Sequence, residues 1–168
     1  MALNVGKWSN QSVIKSADMG LIDGYWLPSN HADPRAIALY LRHYSARHYK
    51  DSRPRRQFCP PGEKMVLLTE ACDALFVWHH PVMERLSGQE GVNCTIFRNE
   101  GPVLSSELIR EACDLAWQRW PGQRLFTYVA DAKIRSSNPG ACFQKAGWRR
   151  CGRNADGRLT ILENVWSL

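Results

Sequence analysis

The chain has 168 residues and a mass of 19.2 kDa, which is enough for one hydrophobic core but too little for two independent ones. Its hydrophobic share of 44% and charged share of 23% are typical of a globular protein and exclude wholesale disorder. No apolar run reaches the roughly 20 residues that a membrane-spanning helix needs, and residues 1–20 lack the apolar stretch of a signal peptide. We therefore expect a single-domain cytoplasmic protein with no membrane partner.

The first half of the chain predicts a helix, a loop and a strand hairpin after a mixed start over residues 1–30. Asp33 suits the N-cap of the helix and Pro34 its first turn, and apolar residues follow at helical spacing. Three prolines and one glycine mark the loop, and two short apolar runs after it predict paired strands. In order, the segments are the helix 33–49, the loop 52–64 and the strands 65–70 and 74–80.

The second half predicts strands alternating with helices. Ser105 or Ser106 suits the N-cap of a long helix with an apolar stripe, which Pro121 and Gly122 end. This order implies a mixed sheet with helices packed on it, the α/β class. The segments are the strand 92–99, the helix 105–120, the strand 124–131, a short helix within 138–148 and the hairpin strands 149–153 and 158–164.

Cysteine and histidine spacing gives no sign of a metal site. The six cysteines are scattered without a CxxC pair, which in a cytoplasmic protein indicates buried, reduced thiols. His79 and His80 are adjacent, so their side chains would face opposite sides of a strand and could not easily share one ion. The sequence thus assigns no metal-ligating residues, and it leaves open both whether a metal such as iron is bound and the oligomeric state.

Positive charge is concentrated in one segment. The net charge is +6 and the pI is near 9.2, which favours binding to polyanions such as nucleic acid. Cations interleaved with histidines and tyrosines over residues 40–56 suit phosphate contacts and base stacking. A solvated helix end followed by a basic loop explains the same pattern equally well. The candidate DNA contacts of this segment are Arg47, Arg53, Arg55 and Arg56.

Three blocks of the sequence carry a family resemblance. They are CTIFRNEGPVLSSELIREACDLAWQRW at 94–120, TYVADAKIRSSNPGACFQKAGWRRCG at 127–152 and HYSARHY at 43–49. Together they cover over half of the chain and resemble the Mom-type family of phage DNA-modification proteins, which is GNAT-like in fold. The resemblance implies a splayed central sheet flanked by helices. It also implies transfer of a carbamoylmethyl group to the exocyclic amine of adenine in double-stranded DNA, in the host cytoplasm, as protection from restriction.

Two departures from the ordinary GNAT pattern concern the donor. The usual acyl-CoA signature is a Gln/Arg-x-x-Gly-x-Gly loop, whereas the stretch 99–105 has a single glycine, so its backbone cannot approach a pyrophosphate as closely. Phe143 stands where many GNAT enzymes carry a tyrosine that protonates the leaving thiolate. The cofactor therefore stays open between an acyl-CoA-like donor and another activated small group.

The resemblance implies a site in the wedge between two parting strands, one ending at Arg98 and the other near Asp131. His48 and Tyr49 are candidates for base stacking or a general base, or they pack as helix-end residues. Arg98 could bind a carbonyl or phosphate and Glu100 could take a proton, or the two form a surface ion pair.

Further candidates flank the wedge. The family's acidic or amide residue after the second strand aligns with Ala130, so Asp131 stands one place later as a shifted catalytic substitute. Ser105 and Ser106 could hydrogen-bond the donor or serve only as N-caps. Asn138 is a further candidate donor contact, and Lys133 and Arg135 are candidate contacts to DNA phosphate.

Two rival functions stay open at this stage. One is an acyl-CoA-dependent N-acyltransferase that acts on a protein or a small amine. The other is a non-catalytic DNA-binding or counter-defence protein on the same scaffold. The transferase interpretation requires the two strands to part, because strands paired along their whole length would leave no cleft.

Overall fold

Seven β-strands form one mixed sheet with helices on both of its faces. The computed structural model describes residues 24–81 and 88–167. Most of the mixed start and part of the predicted loop 81–91 lie outside these residues. The described residues form a single α/β domain with three α-helices, none of which is long and apolar enough to cross a bilayer.

The strand order across the sheet is β1-β2-β3-β4-β5-β7-β6. Every neighbouring pair is antiparallel except β4 and β5, which run parallel with helix α2 as the crossover between them. The elements are β1 (Trp26–Ser29), α1 (Pro34–Leu41), β2 (Glu63–Thr69), β3 (Ala74–His80), β4 (Val92–Asn99), α2 (Ser105–Arg119), β5 (Leu125–Val129), a 3₁₀ turn (Asp131–Lys133), α3 (Ala141–Lys145), β6 (Arg149–Arg153) and β7 (Thr160–Asn164).

Alternating side chains of the central strands divide the core into two layers. Leu67 of β2 and Phe76 of β3 pack with the residues of α2 and α3, whereas Val66 and Val77 pack with α1 on the other face. Apolar side chains are buried on both sides of the sheet, so each face is covered and each contributes to stability.

Two tryptophans fix α2 against its face of the sheet. The indole N–H of Trp26 donates to the Leu108 carbonyl at 2.8 Å, and the indole N–H of Trp78 donates to the Ala112 carbonyl at 2.9 Å. Both rings are almost completely buried, so each indole combines a large apolar contact with a satisfied polar group. The crossover helix is therefore held over strands β1 to β3 by specific contacts.

The predicted helix 33–49 is wrong at its C-terminal end, because α1 stops at Leu41. In a longer helix the Ser45 N–H would bond to the Leu41 carbonyl. Instead it donates to Nδ1 of the His43 ring at 3.2 Å. A side chain that captures a nearby backbone group in this way competes directly with the helical hydrogen-bond ladder.

A long-range contact also favours the early end of α1. The Arg42 carbonyl, a natural acceptor for the next helical turn, accepts a hydrogen bond from the Arg98 guanidinium at 2.6 Å. His48 and Tyr49, expected at a helix end, consequently lie in the irregular segment that follows α1.

Strand β1 lies within the region for which the sequence predicts only a mixed start. It pairs antiparallel with β2, with Trp26 opposite Thr69 and Pro28 opposite Leu67. Proline lacks a backbone donor, but an edge strand needs donors on only one side and therefore tolerates it.

The parallel pair β4 and β5 is joined over a short length. Pairing covers Val92 with Leu125, Asn93 with Phe126 and Cys94 with Thr127, and the described residues beyond these are not paired between the two strands. The register of β4 against β3 shifts at the same place, with Thr95 as the extra residue of a β-bulge. The opening that the transferase interpretation requires is therefore present.

The far edge of the sheet is the exposed strand β6, which carries three arginines in five residues. Arg149 pairs with Glu163 of β7 at 2.7 Å. Arg150 donates to the side-chain oxygen of Asn138 and to the Pro139 carbonyl, each at 3.0 Å. The edge is thus polar and positively charged.

The start of β4 allows a test of how closely the parallel strands approach. Gly91 has a φ of +114°, and a Cβ there would overlap the Arg124 carbonyl oxygen. We predict that Gly91→Ala lowers the free energy of unfolding by about 3 kcal/mol, because left-handed strain and the overlap add. Gly122→Ala, at φ +72° in open space, should cost about 1 kcal/mol. Urea unfolding of both variants measures this, and equal losses would contradict the close approach.

Candidate functional site

A cavity of about 950 Å³ lies where β4 and β5 separate. Its volume falls within the range of about 300–1,000 Å³ found for small-molecule sites. The residues around it come from four parts of the chain. They are Tyr44 and Ser45 after α1, Asn93, Cys94 and Thr95 of β4, Tyr128 and residues 130–133 at the end of β5, and Arg153, Asn154 and residues 156–159 of the β6–β7 turn.

Asp131 presents an oriented carboxylate to this cavity. One oxygen, Oδ2, accepts hydrogen bonds from the Thr160 hydroxyl at 2.7 Å and from the Arg153 guanidinium at 3.2 Å. The other oxygen, Oδ1, is buried and has no hydrogen-bond partner among the described residues. The carboxylate is therefore held through one oxygen, and its second oxygen makes no hydrogen bond within the described residues.

Asn93 lines the same cavity from β4 and was not anticipated from the sequence. Its side chain is 4% exposed, and Oδ1 has no hydrogen-bond partner in the part of the chain that the structure describes. A buried acceptor left unpaired costs about 1–3 kcal/mol, so a hydrogen bond donated to this oxygen would be stabilising. The available signal was a polar residue inside a strand whose first residues are otherwise buried and mostly apolar.

Tyr44 and His43 come from the predicted aromatic segment, but they were not the residues expected at the site. Tyr44 is 41% exposed at the cavity, and desolvation is the largest cause that raises the pKa of its hydroxyl. Burial, followed by the nearby charge of Arg98, lowers the pKa of His43 to about 4. His43 is therefore neutral near pH 7, with Nδ1 accepting from the Ser45 N–H.

Cations surround the mouth of the cavity. Arg153 pairs with Asp131, and Arg158 lies 3.9 Å from the Asp156 carboxylate. Lys133 follows β5 on the 3₁₀ turn and adds a third cation. Of the candidate catalytic, donor-binding and DNA-binding residues, only Asp131 and Lys133 lie in the cavity wall. Arg153 and Arg158 were missed because the hairpin turn is distant in sequence.

Arg98 and Glu100 are brought together, but outside the cavity wall. Glu100 accepts two hydrogen bonds of 2.8 Å from Arg42 and one of 2.5 Å from Arg98. These contacts, with that of Arg42 the larger, lower the pKa of Glu100 to about 2. A carboxylate bonded to two guanidinium groups is a weak proton acceptor, so the geometry disfavours the expected proton-abstracting role and connects α1 to the end of β4 instead.

The loop before α2 is closed by its own side chains. The Asn99 amide donates to the Val103 carbonyl at 2.7 Å and to the Ser105 hydroxyl at 3.0 Å, and its oxygen accepts from the Gly101 N–H at 3.0 Å. A Cβ on Gly101 would overlap the Asp73 carboxylate of the β2–β3 turn. This glycine is thus required by packing against that turn, rather than by close approach to a phosphate.

The remaining predicted donor contacts lie away from the cavity. The N-cap position of α2 is Leu104, which gives no side-chain hydrogen bond, so the prediction of Ser105 or Ser106 as N-cap is wrong. Asn138 donates to Gln144 at 3.0 Å and lies near the start of α3. Arg135 is in the segment between the 3₁₀ turn and α3, and it does not line the cavity either.

The basic segment after α1 forms a separate surface. Two guanidinium groups lie close to the Tyr49 ring, with Arg53 4.7 Å and Arg55 4.6 Å from its centroid. Arg55 also donates to the Arg47 carbonyl. His48 and Tyr49 border a smaller cavity of about 220 Å³ rather than the one between the strands. We call residues 47–56, which also include exposed Arg56, the basic loop.

No family model, curated protein or solved structure matches this chain. What the site can do therefore follows from its own geometry. The cavity combines an oriented carboxylate, an unpaired amide oxygen, two tyrosine rings and three cations. The described residues contain no group of three or more histidine, cysteine or acidic side chains placed to hold a metal ion. Proton transfer and binding of a flat, anionic ligand are the chemistry that these groups support.

The environment of His43 gives a direct spectroscopic test. We predict that its ring titrates with a midpoint of about 4 in a pH series followed by NMR. Arg98→Met should raise that midpoint without restoring the ordinary value of 6.5, because burial is the larger cause. Arg135→Met removes a charge elsewhere and should leave the midpoint unchanged. A midpoint of 6.5 in the unaltered protein would contradict this arrangement.

Proposed function

We propose that this chain is a GNAT-like transferase that places a carbamoylmethyl group on the exocyclic amine of adenine in double-stranded DNA. The observation that carries the proposal is the parting of β4 and β5 after three residue pairs, which opens a cavity beside the oriented carboxylate of Asp131. The resemblance of residues 94–120 and 127–152 to the Mom-type family points to the same chemistry. In a phage-infected cell this modification would protect phage DNA from restriction.

The reaction needs a base because the adenine amine is a poor nucleophile. The amine nitrogen attacks the methylene carbon of an electrophilic carbamoylmethyl donor. A C–N bond forms while the bond from that carbon to the leaving group breaks, and the leaving group departs with the electron pair. The proton lost by the nitrogen goes to Oδ1 of Asp131, while Thr160 and Arg153 keep Oδ2 in place.

Adenine must leave the duplex to reach this cavity, at a cost of a few kcal/mol. The cations at the cavity mouth and the basic loop offset that cost through contacts with DNA phosphates. Stacking on an aromatic ring contributes further, and Tyr44 offers an exposed ring at the cavity.

The geometry of the α2 entrance argues against an ordinary acyl-CoA donor. Asn99 closes the loop internally, and Gly101 packs on Asp73, so the backbone is not arranged to receive a pyrophosphate. Phe143 is 7% exposed and packs on Phe97 and Trp148 in the core, and a phenyl ring has no proton to donate. Both features favour a donor other than acetyl-CoA.

The central test is the nucleoside composition of DNA from bacteria that express the protein. We predict a deoxyadenosine with added carbamoylmethyl mass, and at least a hundredfold less of it with Asp131→Asn, because a positioned base contributes about 10²–10⁴ in rate. Mass spectrometry of digested DNA measures both. Asp156→Asn alters another carboxylate of the cavity wall and should change the yield less than twofold. Full modification by Asp131→Asn would remove this residue from the mechanism.

A second candidate function is DNA binding without chemistry, and the basic loop favours it. The arginines stacked on Tyr49 form a cationic surface that does not depend on the cavity. If the protein folds and binds DNA but the deoxyadenosine of the host DNA stays unmodified, the result supports this candidate over the transferase.

The basic loop predicts a measurable salt dependence of DNA binding. Each phosphate contact contributes about 0.9 to the slope of log affinity against log salt concentration, so Arg53→Gln with Arg56→Gln should reduce the slope by about 1.8. Fluorescence anisotropy with duplex DNA over a sodium chloride series measures this. The matched control, Arg110→Gln with Lys145→Gln, removes the same charge from α2 and α3 on the opposite face. An equal loss in both double variants would show that only net charge matters.

A further inference from the structure

We infer that the cavity between β4 and β5 selects a nucleobase that carries an exocyclic amino group, and that Asn93 is the residue that sets this selectivity. The inference rests on the proposed function, since the same cavity receives the flipped nucleotide. It goes further by assigning base recognition to a side chain that neither the sequence pattern nor the proposed reaction requires.

The side-chain oxygen of Asn93 lacks a hydrogen-bond donor among the described residues. Its side chain is 4% exposed, lines the cavity, and leaves Oδ1 buried without a partner among the described residues. Neighbouring groups in the strand are already engaged, since the Thr127 hydroxyl donates to the Cys94 carbonyl at 2.9 Å. A ligand that donates an N–H to Asn93 therefore removes an existing penalty.

A second residue of the cavity wall also has an unpaired acceptor. Asp131 Oδ1, at the end of β5, is also buried without a partner in the described parts of the chain. The ionised carboxylate of Asp131 has no proton to donate, and Asn93 buries its amide oxygen rather than its amide N–H groups at this place. In this orientation both residues favour a ligand that presents N–H groups and oppose one that presents a carbonyl oxygen. Adenine and cytosine carry an amino group where hypoxanthine and thymine carry an oxygen, and asparagine is a suitable partner for adenine.

The groups in the cavity wall favour a nucleotide over a small amide. A primary carboxamide, such as that of a carbamoylmethyl donor, shares the –NH₂ chemistry. It does not use the other groups in the wall, which are the rings of Tyr44 and Tyr128 and the cations Lys133, Arg153 and Arg158. Aromatic rings suit stacking of a base, and the cations suit its phosphate.

The ligand itself allows a test that needs no variant. The protein is titrated by NMR with dAMP, with the purine deoxyriboside monophosphate that has hydrogen in place of the amino group, and with deoxyinosine monophosphate. We expect dAMP to bind at least tenfold more tightly than the other two. Equal affinities would overturn the inference.

A variant then locates the selectivity. Asn93→Leu removes the acceptor at similar volume and should equalise the affinities of the three nucleotides. Asn164→Leu is the matched control, because it removes the same amide from the end of β7, outside the cavity wall. It should keep the preference for dAMP. If Asn93→Leu does not fold, the ligand series decides alone.

Two further arms separate the alternatives. Titration with acetamide and N,N-dimethylacetamide tests whether a small primary amide is the ligand. NMR shift changes at Asn93 with acetamide, without a preference for dAMP, would overturn the assignment to a nucleobase. Binding is measured without a donor, so a preference for dAMP in a protein that modifies no DNA would sink the transferase and leave the inference intact. Modification with unchanged base selectivity in Asn93→Leu would sink the inference alone.

Discussion

The hydrogen bond from the Thr127 hydroxyl to the Cys94 carbonyl stands at the last position where β4 and β5 are joined. A side chain there satisfies a backbone acceptor that a continued ladder would otherwise occupy. The bulge at Thr95 then re-aims β4, which stays paired with β3. Helix α2 covers both strands on one face, whereas α1 covers β4 and not β5 on the other, and the parting creates the cavity on which the proposed chemistry depends.

The two acidic residues near the strand ends show how environment sets the use of a carboxylate. Glu100 is bonded by two arginines through both oxygens, which fixes its charge and makes it a structural connection. Asp131 is held through one oxygen, and its other oxygen is buried without a partner among the described residues. The same carboxylate group therefore connects two elements at Glu100 and, in the proposed reaction, accepts a proton at Asp131.

Local sequence patterns predicted the strands of the sheet from β2 onward and the long helix almost to the residue, because burial periodicity decides these elements. These patterns failed where contacts between residues distant in sequence determine whether an element forms or where it ends. The end of α1 depends on Arg98, far along the chain, and β1 forms only because the edge of β2 accepts it. Apart from Asp131 and Lys133, the cavity wall could not be predicted from the sequence for the same reason, since Tyr44, Asn93 and the β6–β7 turn meet only in three dimensions.

The arginines of β6 have a consequence for how copies of the protein meet. An exposed edge strand is an open template for pairing with another chain, and repeated cations along it discourage such pairing. Two β6 edges brought side by side would place like charges against each other before any backbone hydrogen bonds formed. The arginines at this edge of the sheet therefore oppose edge-to-edge association of two copies into a longer sheet.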